Sequence, residues 1–203
     1  MKLYYIPGAC PLASHIVACE GGLPLEIERV DSKNGYKTET GEDYLKINPK
    51  GYVPALKLDN GEILTETLAV IQYLGDQAPD KGLTPAAGSF ARYRLEEWLS
   101  FMNSEIQKSF GPLFKSAMPE ASKEAARATL DQRFAYMNDH MAKNTFVMGD
   151  QYTIADPYLF TILGWPAYVG YDLTRFPHLQ AFAARIAERP AVQKALREEG
   201  LLG

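Results

Sequence analysis

A short apolar strand that runs through a tight turn directly into a helix constrains this chain more than any other stretch. Leu3-Tyr4-Tyr5-Ile6 is followed by Pro7-Gly8, a turn signal, and then by Ala9-Cys10-Pro11. Pro11 suits the first helical position, where no backbone N–H is needed. Leu12, Ile16 and Cys19 then recur at i, i+4, i+7 as one apolar stripe, and Gly21-Gly22 closes the helix. Cys10 therefore falls at or beside the N-cap. A helix start presents unpaired N–H groups and a partial positive charge, both of which favour a thiolate over a thiol. Cysteines so placed can have pKa values lowered from about 8.5 to between about 3.5 and 7.5. The position equally suits a small apolar residue tucked under the helix start, and position alone does not choose between the two.

The chain has 203 residues, enough for one large domain or two small ones. Its net charge of −4, with no basic run, argues against a nucleic acid or an anionic membrane as partner. The most apolar run, Pro157 to Tyr171, is interrupted by Gly164 and Pro166 and falls short of the ~20 residues that span a bilayer. Met1-Lys2-Leu3-Tyr4-Tyr5 has no signal-peptide pattern, so a cytoplasmic location is expected. Cys10 and Cys19 lie on one helix, roughly 13 Å apart at about 1.5 Å per residue, beyond the ~7 Å that a disulfide tolerates. Cys10-Pro11-Leu12-Ala13 lacks the second cysteine of a C-x-x-C motif, so redox chemistry at Cys10 needs a thiol from outside. Cys19 is expected in the core. His15, His140 and His178 have no metal-ligand spacing, and no metal is expected.

Leu25 and Ile27 alternate with charged residues through Asp31, a strand with one solvated face. Ser32 to Gly41 is polar and reads as a loop or at most a loose helical turn, and Asp43 to Ile47 as a short helix. Pro54 opens a strand. Asp59-Asn60-Gly61 marks a hairpin, and Glu62 to Thr65 returns as its partner. A helix starts at Glu66-Thr67 with Leu68, Ile71 and Leu74 inward, and Pro79 to Gly82 stops it. Val53-Pro54 admits a trans bond at an ordinary strand start or a cis bond. The cis form turns the Val53 N–H and C=O toward the Cys10 side, open to an extended ligand.

The βαβαββα order, Cys10 after the first strand, Val53-Pro54, and Glu66-Thr67 at a helix start resemble the thioredoxin-like domain of glutathione S-transferases. Met1 to Tyr5, Pro7 to Cys10, Leu12 to Ile16, Asn48-Pro49-Lys50-Gly51 and Val53 to Leu56 resemble the bacterial beta class in particular. The resemblance runs the length of the chain. It implies an α/β plus all-α architecture: a thioredoxin-like domain over residues 1–80, a linker over 81–88 and an all-helical domain over 89–203. It implies glutathione as co-substrate, held in extended form beside Ala9 and Cys10. Val53 and Pro54 would meet the cysteinyl backbone, and Glu66 and Thr67 the γ-glutamyl end. A loop lysine, Lys37 or alternatively Lys33, would hold the glycyl carboxylate. Helix-start N–H groups accept a carboxylate well. Plain capping by Glu66-Thr67 is compatible with that role.

In the helical half, Leu95, Trp98, Leu99, Met102 and Ile106 are expected to face a core, and Gly111-Pro112 to break that helix. The resemblance places the polar stripe of Ser100, Asn103, Ser104, Gln107 and Lys108 beside the glutathione cleft and a twofold partner, in a homodimer. Pro119 to Lys143 reads as a long helix with Leu130, Phe134 and Met137 inward. Thr153 to Asp156 reads as a capping box ahead of a buried helix, a folding element rather than a chemical one. Beta-class members often carry His-Lys where this chain has Gln107-Lys108, an asparagine at Ser100 and a serine at Pro11. Glutamine does not titrate near neutral pH, so acid–base help from position 107 is lost.

The implied activity is glutathione transfer. Cys10 would support thiol–disulfide exchange with a disulfide substrate, or conjugation of glutathione to a small electrophile. A second reading keeps the fold and gives the thiolate-stabilising role to Tyr5 or Ser14. A third is a non-catalytic glutathione-binding or interaction module.

Overall fold

The computed structural model describes residues 1–202; Gly203 lies outside them. Backbone contacts divide the chain into two compact units. One comprises Met1–Thr84 together with the segment from Glu188 onward, the other Pro85–Ala187. The expected boundary near residue 88 lies close to the first division, but the last helix is returned to the first unit.

The first unit is built on a five-stranded sheet of order β3-β2-β1-β4-β5. Its strands are β1 (Lys2–Tyr5), β2 (Glu26–Asp31), β3 (Lys37–Thr38), β4 (Ala55–Lys57) and β5 (Ile63–Thr65). β1 and β2 run parallel; the other three pairs are antiparallel. The helices are α1 (Pro11–Gly21), α2 (Tyr44–Ile47), α3 (Thr67–Asp76) and, from the far end of the chain, α10 (Pro190–Glu198), with a 3₁₀ turn at Pro79–Lys81. Pro11 stands at the first turn of α1 and Gly22 closes it at φ 66°, the left-handed cap that glycine takes without a Cβ clash.

Three expectations need correction. Ser32 to Gly41 is not all loop: Lys37–Thr38 pairs with the end of β2 through Val30↔Thr38 and Asp31↔Lys37. Two residues are too few for a period-2 pattern to declare itself. The charged face of β2 is not all solvated either. Glu28 is 2% exposed and accepts hydrogen bonds from Lys2 Nζ at 2.8 Å and from the Thr40 hydroxyl. Finally, α1 has no single apolar stripe, because Pro11 to Ala18 are all buried. The helix packs against β1, α3 and α10, so every side is covered. Arg189 joins this arrangement by a bidentate pair with Glu20, at 2.5 and 3.0 Å.

The second unit is helical: α4 (Phe90–Phe101), a π segment (Met102–Gln107), a 3₁₀ turn (Lys108–Phe110), α5 (Gly111–Phe114), α6 (Glu120–Met141), α7 (Ala155–Leu163), α8 (Pro166–Val169) and α9 (Pro177–Ala187). Gly111-Pro112 does not break the first run. Proline stands in the opening turn of α5, and helical backbone continues to Phe114. Leu130, Phe134 and Met137 of α6 are fully buried, as are Leu95, Met102 and Ile106, while Trp98 is only half-buried. Asp156 is fully buried and accepts from the Thr153 N–H at 2.7 Å and the Val147 N–H at 2.8 Å.

Two variants test these buried carboxylates. Asp156→Ala leaves two buried N–H groups without their acceptor and is expected to lower stability by about 2–5 kcal/mol in chemical denaturation. For Glu28, burial opposes the charge, but hydrogen bonds from Lys2, Thr38 and Thr40 outweigh it and hold the carboxyl down at about 2. A depressed pKa contributes stability above the unfolded value of about 4.5 that is lost as pH falls toward 2. Glu28→Gln is therefore expected to be less stable than wild type at pH 7 and to flatten the loss between pH 4.5 and 2, followed by denaturation across that range.

Candidate active site

The sheet register gathers three segments at one end of the first unit. Tyr4 pairs with Ala55, and Ala55 pairs with Thr65, so β1 ends, β4 begins and β5 ends in one row. Cys10 follows β1, Val53-Pro54 precedes β4, and Glu66-Thr67 follows β5. β2 runs parallel to β1 and ends beside them, so Lys33 and Lys37 follow at the same end. Lys37 lies on β3, and Lys33 in the turn whose N–H bonds Asp31 at 3.0 Å.

Cys10 is the N-cap residue of α1 and is half-buried; neither it nor Cys19 is in a disulfide. Its backbone is already helical, at φ −48°, ψ −34°, and its side chain makes no capping bond to the first turn. The reason lies in the backbone ledger. Pro11 has no N–H, Leu12 N–H bonds Ala9 O at 3.0 Å, and Ala13 N–H bonds Cys10 O at 3.1 Å. The start of α1 also sets this sulfur at the positive end of the helix dipole. Ala9 sits in the turn itself, closed by its N–H to Ile6 O at 3.1 Å. Gly8, at φ 71°, gives its N–H to the buried carboxylate of Glu199 at 3.0 Å.

Val53-Pro54 is a cis peptide bond. The loop before it is held by two donors on the Tyr52 carbonyl, Tyr44 Oη and Asn48 Nδ2, both at 2.7 Å. Burial, only partly offset by Asn48, pushes the Tyr44 phenol up to about 12, so it stays a donor at ordinary pH. Beyond the sheet ladder, the Val53 N–H and C=O take no backbone partner among the described residues.

Glu66 caps α3 from φ 72°, ψ 123°, a conformation that a side-chain-bearing residue holds at a cost on the order of 1–3 kcal/mol. Its exposed carboxylate meets Lys50 Nζ at 2.6 Å, and the same ammonium reaches the Thr65 hydroxyl at 3.0 Å. Thr67 is buried at the first turn.

Comparison with known proteins decides what this arrangement belongs to. Residues 9–77 match the model of the glutathione S-transferase N-terminal domain and residues 101–190 that of the C-terminal domain. Glutathione S-transferase GstA of Escherichia coli O157:H7 is 45% identical, with 99% of this chain and 100% of that protein covered. The chain belongs to the glutathione S-transferase family. A sphingomonad glutathione S-transferase solved in complex with glutathione is 48% identical with a TM-score of 0.95, each chain covered in full. A bacterial beta-class glutathione S-transferase from Sphingomonas chungbukensis is 44% identical with a TM-score of 0.96, again over the whole of both chains.

The remaining expected residues of a beta-class transferase lie in the second unit. Ser104 and Gln107 fall in the π segment and Lys108 in the 3₁₀ turn after it. Ser104 and Lys108 are exposed and Gln107 half-buried. The π turn is not legible in the sequence: Met102, Ile106 and Phe110, all fully buried, stand at a spacing that an ordinary α-helix buries as well. Ser104 Oγ and Ser109 Oγ donate to the Ser100 and Glu105 carbonyls at 2.9 and 2.7 Å, giving those carbonyls an added donor.

Of the alternative thiolate donors, Ser14 is fully buried and its hydroxyl has no partner among the described residues. Tyr5 is 7% exposed, with its phenol raised chiefly by burial. Cys19 is not a core residue. It is half-buried, with Lys194 Nζ 3.6 Å from its sulfur. His15, 3% exposed, stands beside it. Asn48 and Lys50 enter the sequence reading only within the Asn48-Pro49-Lys50-Gly51 motif, with no contact assigned to them, and Tyr44 and Glu199 have no site role there.

Glu66 carries a prediction that separates strain from binding. Glu66→Gly relieves the positive φ and is expected to raise stability by about 1 kcal/mol in chemical denaturation. Retention on immobilised glutathione is expected to fall at the same time, because the carboxylate that suits an ammonium group is gone.

Proposed function

We propose that this chain is a glutathione transferase in which Cys10 is the reacting or sulfur-holding residue. The observation that carries the reading is the convergence of Cys10, the cis Val53-Pro54 bond and the Glu66-Thr67 helix start at one end of the sheet. The glutathione bound in the sphingomonad relative supports it. Glutathione lies extended, with its cysteinyl backbone against the Val53 N–H and C=O like an added strand. Its γ-glutamyl carboxylate meets the start of α3 and its ammonium meets Glu66, displacing Lys50. Lys37 or Lys33 takes the glycyl carboxylate, and Pro54, Ala9 and Cys10 border the sulfur.

Two reactions fit. In exchange, the Cys10 thiolate attacks the disulfide of oxidised glutathione, a new S–S bond forms and one glutathione leaves as thiolate. With a mixed disulfide of glutathione as substrate, the same first step releases the substrate thiol; a glutathione thiolate then attacks the Cys10 mixed disulfide, forming oxidised glutathione and returning Cys10 as thiolate. In conjugation, the glutathione sulfur attacks an electrophilic carbon and its thiol proton passes to solvent. A homodimer in the cytoplasm completes the reading. Exposed Phe90, Tyr93 and Tyr136, at 74%, 59% and 56%, form aromatic surface of the kind that partners cover. No helix among the described residues is long and apolar enough to cross a membrane.

The test combines mass spectrometry with turnover. Wild type treated with oxidised glutathione is expected to gain one glutathione on Cys10, and Cys10→Ala to gain none there and to lose at least tenfold in disulfide reductase rate. Unchanged reductase activity in Cys10→Ala removes Cys10 from the mechanism. Glutathione retention without turnover of any disulfide or electrophile returns the chain to a binding role.

A further inference from the structure

α1 and α10 bring together three metal-ligating side chains outside the proposed glutathione site. His15 and Cys19 stand at i and i+4 on α1, on one helix face. Glu198 ends α10, and the donor atoms of these three residues lie within 4.8 Å of one another. His15 Nε2 is 2.9 Å from a Glu198 carboxylate oxygen. The other ring nitrogen, Nδ1, is 3.2 Å from Glu199 Oε1, whose side chain is fully buried. That carboxylate fixes the ring and aims Nε2 outward, the arrangement that commonly stands behind a metal-bound imidazole.

The cluster already gathers positive charge. Lys194 Nζ is 3.6 Å from Cys19 Sγ and 2.8 Å from the Glu198 carboxylate, so an ammonium spans a sulfur and an oxygen there. Lys194 is 58% exposed on a long side chain and leaves the site without disturbing the core. One imidazole nitrogen, one thiolate and one carboxylate are a borderline-soft set that suits Zn²⁺ and not Mg²⁺ or Ca²⁺. Tetrahedral Zn²⁺ needs such donors roughly 3.3–3.5 Å apart, from bond lengths of about 2.0–2.3 Å. Small rotations of Glu198 and Cys19, both partly exposed, supply that spacing.

We propose that His15, Cys19 and Glu198 form a Zn²⁺ site between α1 and α10, with the metal taking the place of the Lys194 ammonium and a water filling the fourth position. Binding forms Zn–N, Zn–S and Zn–O bonds, while the Cys19 thiol proton and the imidazolium proton that the metal displaces pass to solvent. His15 and Cys19 follow Cys10 by five and nine residues, and none of the three ligands is among the residues proposed to hold glutathione.

Metal-stripped full-length protein titrated with Zn²⁺ against a chromophoric chelator, and with Co²⁺ for its thiolate charge-transfer band, tests the site. One equivalent is expected to bind, with the band present, in both wild type and Cys10→Ala. Cys19→Ser is expected to abolish the band and weaken Zn²⁺ at least 100-fold, and Glu198→Gln at least tenfold. Lys194→Gln removes the competing cation and is expected to tighten binding. Circular dichroism of each variant checks that the fold is kept. Binding that survives Cys19→Ser, that disappears in Cys10→Ala, or that is absent even from Lys194→Gln overturns the proposal.

Discussion

Everything at the Cys10 end of the sheet depends on burying α1 on all sides. A helix with Pro11 to Ala18 all inside has no solvated face on which to leave a polar group; among the described residues the Ser14 hydroxyl goes without a partner there, while the His15 ring finds two. Burial opposes the charge on His15, yet hydrogen bonding to Cys19 and Glu199 holds the imidazolium up at about 9. Glu199 then does a second thing with its other oxygen, accepting the Gly8 N–H in the turn before Cys10. One buried carboxylate thereby ties the turn and the helix that together position the sulfur. It comes from a point 191 residues further along the chain.

That distance explains what could and could not be read from the residues. Features written in local backbone chemistry were legible: Pro11 and Gly22 bounding α1, the Asn60-Gly61 hairpin, Thr153 to Asp156 before α7. Features set by what lands on an element were not. Spacing marks one apolar stripe on α1, but β1, α3 and α10 bury every side of the helix from Pro11 to Ala18. Glu28 alternates like a solvated residue and is instead enclosed by Lys2 and Thr40. Cys19 fits the stripe by spacing yet faces Lys194. In each case the deciding partner lies far off in sequence or on a neighbouring strand.

The proposed site divides along the same line. Cys10, Val53-Pro54 and Glu66-Thr67 were legible because each sits where the backbone changes course, and such changes need particular residues. The strain at Glu66 was not, since glutamate carries no sequence signal for a positive φ. Nor was Lys50, which spans Glu66 and Thr65 across the sheet end. An exposed pair of this kind contributes little stability by itself. Its interest is competitive, because an ammonium already rests where the proposed ligand's ammonium is to go.

Two cysteines on one helix also allow a comparison of fields. Cys10 is at the positive end of the α1 dipole, where aligned peptides favour an anion without any side chain's help. Cys19 is in the last turn, where the same dipole disfavours one. Lys194 beside the sulfur and the His15 imidazolium reverse that local sign. A field built from backbone dipoles cannot be removed by a point mutation, and it persists while the helix does. A field built from side chains can be exchanged one cation for another. The first kind suits a sulfur that must react the same way in every turnover, and the second suits a sulfur whose cationic neighbour is to be replaced.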